Sequence, residues 1–424
     1  MIKTIKGTRD LLPEEIPKWH LVEDTARTVF ERYGYEEIRT PIFEETELFA
    51  RGIGVDTDIV AKEMYTFQDK SGKSITLRPE GTAPVVRAYI EQHMYKEGGI
   101  KKLYYMGPMF RHERPQKGRY RQFHQIGAEV LGSDNPAIEA EVIQMLELFL
   151  EKLEVRDVTL LINSIGCAVC RPKYIEQLRA EVRKNLSAFC EDCQRRAETN
   201  PLRVLDCKVP ECQPLIDKLP TIVEYLCADC AAHFARFRAL LERQGTRYTL
   251  APKLVRGLDY YVRTVFEITG AGLGEGAQNT IIGGGRYDGL AEILGGPPTQ
   301  GLGFALGVER LISVLPESRT KDLAKRPVLF IAALGEAAFD RGLALAQRLR
   351  RQGVYCYIDF DPRSLKSQLR LADKLAAQNV LIVGEDELKS NRYVLKTMSV
   401  GTQELISESE LLDRFNNEHL DGGG

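Results

Sequence analysis

No uninterrupted apolar run in this 424-residue chain reaches the roughly 20 residues that a membrane-spanning helix needs. A helical membrane anchor is therefore not expected. The opening Met1-Ile-Lys-Thr-Ile-Lys-Gly runs straight into polar sequence without a secretory apolar segment, so the expected location is cytoplasmic. Charge of one sign is also lacking: 58 Lys and Arg against 60 Asp and Glu leave a formal charge of −2. That excludes a surface coated with positive charge, although a local basic patch can still hold a nucleic acid. The triple glycine Gly283-Gly284-Gly285 is followed by no Gly-Lys-Ser/Thr, which excludes a P-loop there. Unpaired cysteine is scarce as well. Of nine cysteines, only Cys356 stands alone; the others fall as Cys167/Cys170, Cys190/Cys193, Cys207/Cys212 and Cys227/Cys230. In a reducing compartment such pairs point to metal or redox chemistry before structural disulfides.

What is present describes an ordinary globular protein, with 43% hydrophobic and 28% charged residues. The length exceeds what one core usually supports, so two or more domains are expected.

The chain is organised around Phe110 to Val130. Before this stretch lies a strand-like run, Lys102 to Gly107. After it, Phe123, Gln125 and Glu129 alternate with His124, Ile126, Ala128 and Val130, so period-2 spacing puts the first three on one side of a strand. The centre carries Arg111, Arg114, Lys117, Arg119 and Arg121 against one acid, Glu113, with Pro115 and Gly118 marking a turn. The pattern predicts two antiparallel strands joined by a basic loop. A floor with an aromatic ring, an amide and a carboxylate beneath a set of cations suits an aromatic base and a polyphosphate. A solvated charged hairpin fits the same residues.

Further segments carry comparable chemistry. Ile16 to Tyr33 reads as a helix and Tyr35 to Glu44 as an edge strand containing Pro41. Met64–Asp69 and Ser74–Thr82 read as paired strands, the second ending in Arg78-Pro-Glu-Gly-Thr. Glu80 and Thr82 suit a substrate ammonium, although a cap with a charged first turn at the start of the next helix is the plainer reading of these residues alone. Pro136 to Val155 has the apolar stripe Ile138, Val142, Met145, Phe149, Leu153. Leu254-Val-Arg-Gly-Leu-Asp-Tyr-Tyr returns to β-prone sequence. Thr280 to Leu290 holds the three glycines, where the backbone can approach a ligand closely. Gly301 to Ile312 reads as strand then helix, with Arg310 in the first turns of that helix.

Residues 170–250 are mostly helical patterns with broken, charged connections and hold most of the cysteines. Cys190/Cys193 and Cys227/Cys230 fit four-thiolate zinc by spacing. Cys167/Cys170 and Cys207/Cys212 make a second set, or pair differently; free thiols are the bland alternative. After a polar linker at 315–326, strands at Pro327–Ala333, Val354–Ile358, Asn379–Val383 and Tyr393–Met398 alternate with helices, predicting an α/β domain with a mixed sheet. Arg363, Lys366, Arg370 and Lys374 make a basic helix face there, which ordinary solvation also explains.

The basic hairpin resembles motif 2 of class II aminoacyl-tRNA synthetases, in the form found in histidyl-tRNA synthetases. Ile16–Glu44 resembles motif 1, a dimer interface in that family, and the Arg310 segment resembles motif 3. Arg78-Pro-Glu-Gly-Thr, Leu254–Tyr261 and the triple-glycine string resemble strings typical of histidyl-tRNA synthetases. The resemblance implies an α+β fold: an antiparallel-sheet catalytic domain over 1–325, a mostly helical, cysteine-rich insertion at 170–250, and an anticodon-binding α/β domain with a mixed sheet at 326–424. It implies ATP binding by Arg111, Glu113, Arg119, Phe123 and Arg310, with Mg²⁺ on the outer phosphates. It implies histidine binding by Glu80, Thr82, Gln125, Glu129, Arg256, Tyr260, Tyr261 and Tyr287. Arg111 and Arg256 take the catalytic roles, and Arg114, Gln116 and Lys117 face the tRNA acceptor end. The familiar insertion is not regarded as a zinc domain, so the cysteines depart from the pattern.

The implied reaction is activation of L-histidine with ATP to histidyl-adenylate and pyrophosphate, then transfer to the 3′ end of tRNA(His), by a homodimer. One rival is a non-charging, synthetase-like regulatory subunit of histidine biosynthesis, which is expected to lose catalytic residues, insertion or C-terminal domain. Another is an RNA-binding protein without catalysis, against which Arg111, Arg256 and Arg310 speak.

Overall fold

The computed structural model describes residues 2–54, 57, 59–114, 118–271, 279–321, 323–361 and 363–417. They divide into two compact units, Met1–Lys321 and Asp322–Gly424. Among the described residues no helix is long and apolar enough to cross a membrane.

The first unit is built on an eight-stranded sheet, ordered Glu36–Glu37, Lys101–Phe110, Gln122–Leu131, Gly301–Gly307, Thr280–Arg286, Val262–Gly270, Val158–Ser164, Thr249–Leu250. The central strands pair antiparallel and the two short edge strands pair parallel. The hairpin pairs from Lys101/Leu131 to Phe110/Gln122, as its sequence predicts. Ile126, Ala128 and Val130 face a core shared with the helices Ile16–Arg32 and Pro136–Lys152. Trp19, Val22, Ala26, Val29 and Phe30 come from the first helix; Ile138, Val142, Met145 and Phe149 come from the second. Asn135 caps the second helix by accepting from the Ala137 N–H at 3.0 Å, just before Pro136 at its first position. With one sheet face covered by these helices, the opposite face is left to carry Phe123, Gln125 and Glu129.

Tyr35 to Glu44 does not form one edge strand. Glu36–Glu37 joins the large sheet beside Leu103 and Tyr104, whereas Phe43–Glu45 joins a separate three-stranded sheet with Ser74–Leu77 and Tyr65–Gln68. Pro41, which has no N–H to donate, lies between the two pieces.

Over residues 170–250 the structure has the helices Arg171–Lys184, Glu191–Thr199, Gln213–Ile216 and Ala228–Arg243, linked by short 3-10 turns. These helices are not self-contained. Phe234, Phe237 and Leu241 enter the main core. Tyr174, Leu178, Val182 and Ile216 share a second core with Tyr260, Tyr261 and Tyr287.

In the second unit a five-stranded sheet runs Cys356–Ile358, Leu329–Ala333, Asn379–Val383, Arg392–Thr397, Gln403–Ser407. The first three are parallel and the last two add antiparallel, giving the predicted mixed sheet. Sequence patterning missed Gln403–Ser407, in which only Ile406 is buried. On the helix Leu365–Lys374 and its approach, Arg363 pairs with Asp359 at 3.2 Å and Asp361 at 2.8 Å, while Lys366, Arg370 and Lys374 are exposed.

Candidate active site

On the open face of the large sheet a cleft encloses about 940 Å³ of empty space, its mouth included. Arg111, Arg119, Arg256 and Arg310 all line it, although they come from three separate stretches of chain. Arg111 follows the first hairpin strand; its Nε donates to the Pro79 carbonyl at 2.8 Å and its guanidinium lies 5.3 Å from the centre of the Phe123 ring. Glu113 sits between Arg111, at 3.9 Å, and Arg119, at 3.6 Å. Arg310 is held from the third position of the helix Val308–Ser313, with its Nη1 donating to the Thr280 carbonyl at 2.9 Å. Burial and the neighbouring Arg119 push the Arg310 guanidinium below its usual pKa, with Arg111 adding and Glu113 opposing. A cluster of cations in a partly buried cleft is stabilised by a polyanion.

The cleft is also lined by Glu80, Thr82, Gln125, Tyr260 and Tyr261. The Gln125 Oε1 is buried with no protein partner among the described residues. Glu80 takes the capping role open to it. Its carboxylate accepts from the Thr82 N–H at 2.6 Å and the Ala83 N–H at 2.9 Å, capping the helix Thr82–Glu91, yet it still lines the cleft. Burial raises its pKa despite these bonds. Glu129 and Tyr287 lie one layer deeper. The Tyr287 hydroxyl donates to Glu129 Oε2 at 2.6 Å and the Thr82 hydroxyl to Glu129 Oε1 at 2.7 Å. Burial pushes the Glu129 carboxyl up to about 8. The rings of Tyr260 and Tyr261 lie 4.7 Å apart, and Tyr287 meets Tyr260 edge-on at 5.7 Å. Gly303 makes room for this arrangement, since a Cβ there would lie 2.7 Å from the Glu129 Cδ.

Arg114 is exposed on the hairpin loop. Gln116 and Lys117 lie outside the described residues.

Two acids that organise the site escaped the sequence reading. Glu267 forms an ion pair with Arg256, whose guanidinium lies 5.7 Å from the Tyr261 ring centre. Burial works against the Arg256 charge, but Glu267 raises its pKa. Strand parity carried a signal for Glu267: it is the lone acid of Val262–Gly270, opposite to Phe266 and Ile268, which face the core. Glu309 accepts from the His124 backbone N–H at 2.9 Å and lies 3.1 Å from its ring Nδ1. Its position beside Arg310 gives no such periodic signal. The glycine string was expected to bring backbone close to a ligand. In the structure Gly283 lines the cleft and makes room for the Arg256 guanidinium.

The cysteines pair otherwise than expected. Cys190/Cys193 does not meet Cys227/Cys230. One cluster is Cys167, Cys170, Cys227 and Cys230; the other is Cys190, Cys193, Cys207 and Cys212. Spacing shows which two thiols adjoin, but not which pairs the fold brings together. Here Ala228–Arg243 begins beside the start of Arg171–Lys184, so the two ends of the helical stretch meet.

A family model described as Histidyl-tRNA synthetase matches residues 7–311. The chain belongs to the histidyl-tRNA synthetase family. A second model, for an anticodon binding domain, matches residues 329–418. A histidine–tRNA ligase of Solibacter usitatus is 51% identical, covering 98% of this chain and 99% of its own. One of Geobacter metallireducens is 53% identical over 95% of this chain and 96% of its own. The crystal structure of apo S. aureus histidyl-tRNA synthetase superposes with a TM-score of 0.83 at 39% identity, covering 98% of this chain and 100% of that one. The class II architecture and the presence of both family regions thus agree with the fold described, and the regulatory-subunit alternative is not supported.

Proposed function

We infer that this protein is an ATP-dependent histidine–tRNA ligase. The convergence of Arg111, Arg256 and Arg310 on one cleft, beside the Glu80, Thr82 and Gln125 end, carries this reading. A histidine carboxylate oxygen attacks the α-phosphorus of ATP and pyrophosphate leaves. A ribose hydroxyl at the tRNA 3′ end then attacks the acyl carbon of the adenylate and AMP leaves. No enzymic nucleophile is needed. Aligning two anions and offsetting the growing negative charge are the work of the arginines.

In this assignment Arg111 and Arg256 hold the α-phosphate and the histidine carboxylate. Arg119 and Arg310 hold the outer phosphates, with Phe123 against adenine and Glu113 beside the nucleotide. Glu80, Thr82 and Gln125 take the α-ammonium. Tyr260 and Tyr261 face the imidazole, backed by Glu129 and Tyr287. Mg²⁺ on the outer phosphates would reduce their charge; Glu113 and Glu309 are cleft carboxylates of the hard-oxygen type it prefers. Arg114, Gln116 and Lys117 approach the tRNA acceptor end, and the second unit takes the anticodon. The family assignment carries a cytoplasmic location. The thiolate clusters suit zinc held structurally, because four thiolates leave no open position. Exposed Phe43 and Phe67 on the small sheet, with Ile42 just before it, support a homodimer.

The test is histidine-dependent exchange of pyrophosphate into ATP, followed by charging of tRNA(His). Exchange that is absent, or independent of histidine, would overturn the reading.

A further inference from the structure

Side chains adjoining each thiolate cluster in the chain bond to the segment Leu254–Tyr261. Within the first cluster, Sγ atoms stand 3.8 Å apart for Cys167–Cys170, Cys167–Cys227 and Cys170–Cys230. In the second, Cys190 and Cys207 are 3.7 Å apart. A tetrahedral ion with Zn–S bonds of about 2.3 Å requires sulfur–sulfur edges of about 3.8 Å. Backbone N–H groups support the thiolates: Cys167 N–H donates to Cys170 Sγ at 3.2 Å, and Cys190 N–H to Cys212 Sγ at 3.3 Å.

Arg171 directly follows Cys170. Its Nη2 donates to the Tyr261 carbonyl at 2.6 Å and the Gly166 carbonyl at 3.2 Å; its Nε donates to the Ile165 carbonyl at 3.2 Å. Asn200 and Arg203 lie between Cys193 and Cys207 of the second cluster. Asn200 Nδ2 donates to Asp259 Oδ1 at 3.0 Å, and Arg203 Nη1 to the Arg256 carbonyl at 3.4 Å. Of the seven buried residues from Cys193 to Cys212, three are cysteines, alongside Ala197, Pro201, Val204 and Leu205. All but Pro201 share the second core, and a metal cross-link between Cys190/Cys193 and Cys207/Cys212 adds a covalent-like constraint across the stretch that carries Asn200 and Arg203.

We propose that the two zinc sites are positioning devices for the histidine pocket: they fix Arg171, Asn200 and Arg203, which in turn hold Leu254–Tyr261 in its binding shape. This rests on the zinc reading above. The metals touch no substrate. Arg171, Asn200 and Arg203 are positioning residues, acting through Tyr261, Asp259 and Arg256.

The experiment uses the full-length enzyme as purified, with metal content by mass spectrometry and exchange kinetics in each substrate. Two zinc ions per chain are expected, one for each cluster. Arg171→Ala should keep both ions yet raise KM for histidine by about tenfold or more, with KM for ATP changed by less than about twofold. Arg171→Lys should restore part of the loss. Cys167→Ser should lose one ion and raise KM for histidine likewise; if it does not fold, the arginine variants still decide. Arg171→Ala and Arg203→Ala that keep zinc and the normal histidine KM would overturn the coupling while zinc stands. A rise in both KM values together, or a fall in kcat alone, would also overturn it. Wild-type enzyme free of zinc would overturn the metal reading.

Discussion

A Cβ on residue 283 would lie 2.6 Å from Nη1 of Arg256, so Gly283 and Arg256 share one volume. The clashing group is the far end of a flexible side chain. Gly283→Ala should therefore displace the arginine and leave the sheet intact. Displacing a substrate-aligning group by an ångström costs on the order of 10²-fold in rate. Exchange kinetics should show that loss with the thermal midpoint within a few degrees of wild type. Full activity would mean that Arg256 does not act from the position seen.

Glu267 holds the same arginine from the neighbouring strand, at the register position opposite Gly283. Glu267→Gln keeps the shape and removes the charge. We expect activation to slow by roughly tenfold, because Arg256 loses its orienting partner. Single-turnover measurement of adenylate formation reads this directly, and an unchanged rate would remove Glu267 from the site.

Glu129 should make stability depend on pH. Its carboxyl titrates at about 8 in the fold, chiefly through burial, whereas an unfolded Glu titrates near about 4.3. Between these values the native state holds a proton that the unfolded chain has released. The contribution is therefore full at acid pH and is lost as pH rises through about 8. Thermal unfolding of the ligand-free protein should give a higher midpoint at pH 6 than at pH 9, with a shallower slope in Glu129→Gln. Equal slopes would show that this carboxyl titrates elsewhere.

Phe43 and Phe67 are 56% and 48% exposed on the small sheet. Replacing both by Glu should turn a homodimer into monomers in light scattering. A dimer surviving both changes would place the interface on another surface.

Much of this site was legible from local pattern. Alternation over Gln122–Leu131 separated Phe123, Gln125 and Glu129 from Ile126, Ala128 and Val130, because strand geometry sends successive side chains to opposite faces. Three-and-four spacing located the helices Ile16–Arg32 and Pro136–Lys152 for the same kind of reason. Tyr35–Glu44 was read wrongly as a single strand. Local β propensity does not reveal that a chain changes sheets partway along.

By itself, then, the sequence determined the kinds of elements, the faces their side chains take, and the inventory of arginines, acids and thiols. Each of these follows from backbone periodicity or side-chain chemistry within a few residues. Only the tertiary structure decided that Cys167/Cys170 joins Cys227/Cys230, that Glu267 faces Arg256 across Gly283, and that Glu129 lies beneath the cleft lining. Those choices depend on strand register and on how distant segments close over one another, which no short window of sequence encodes.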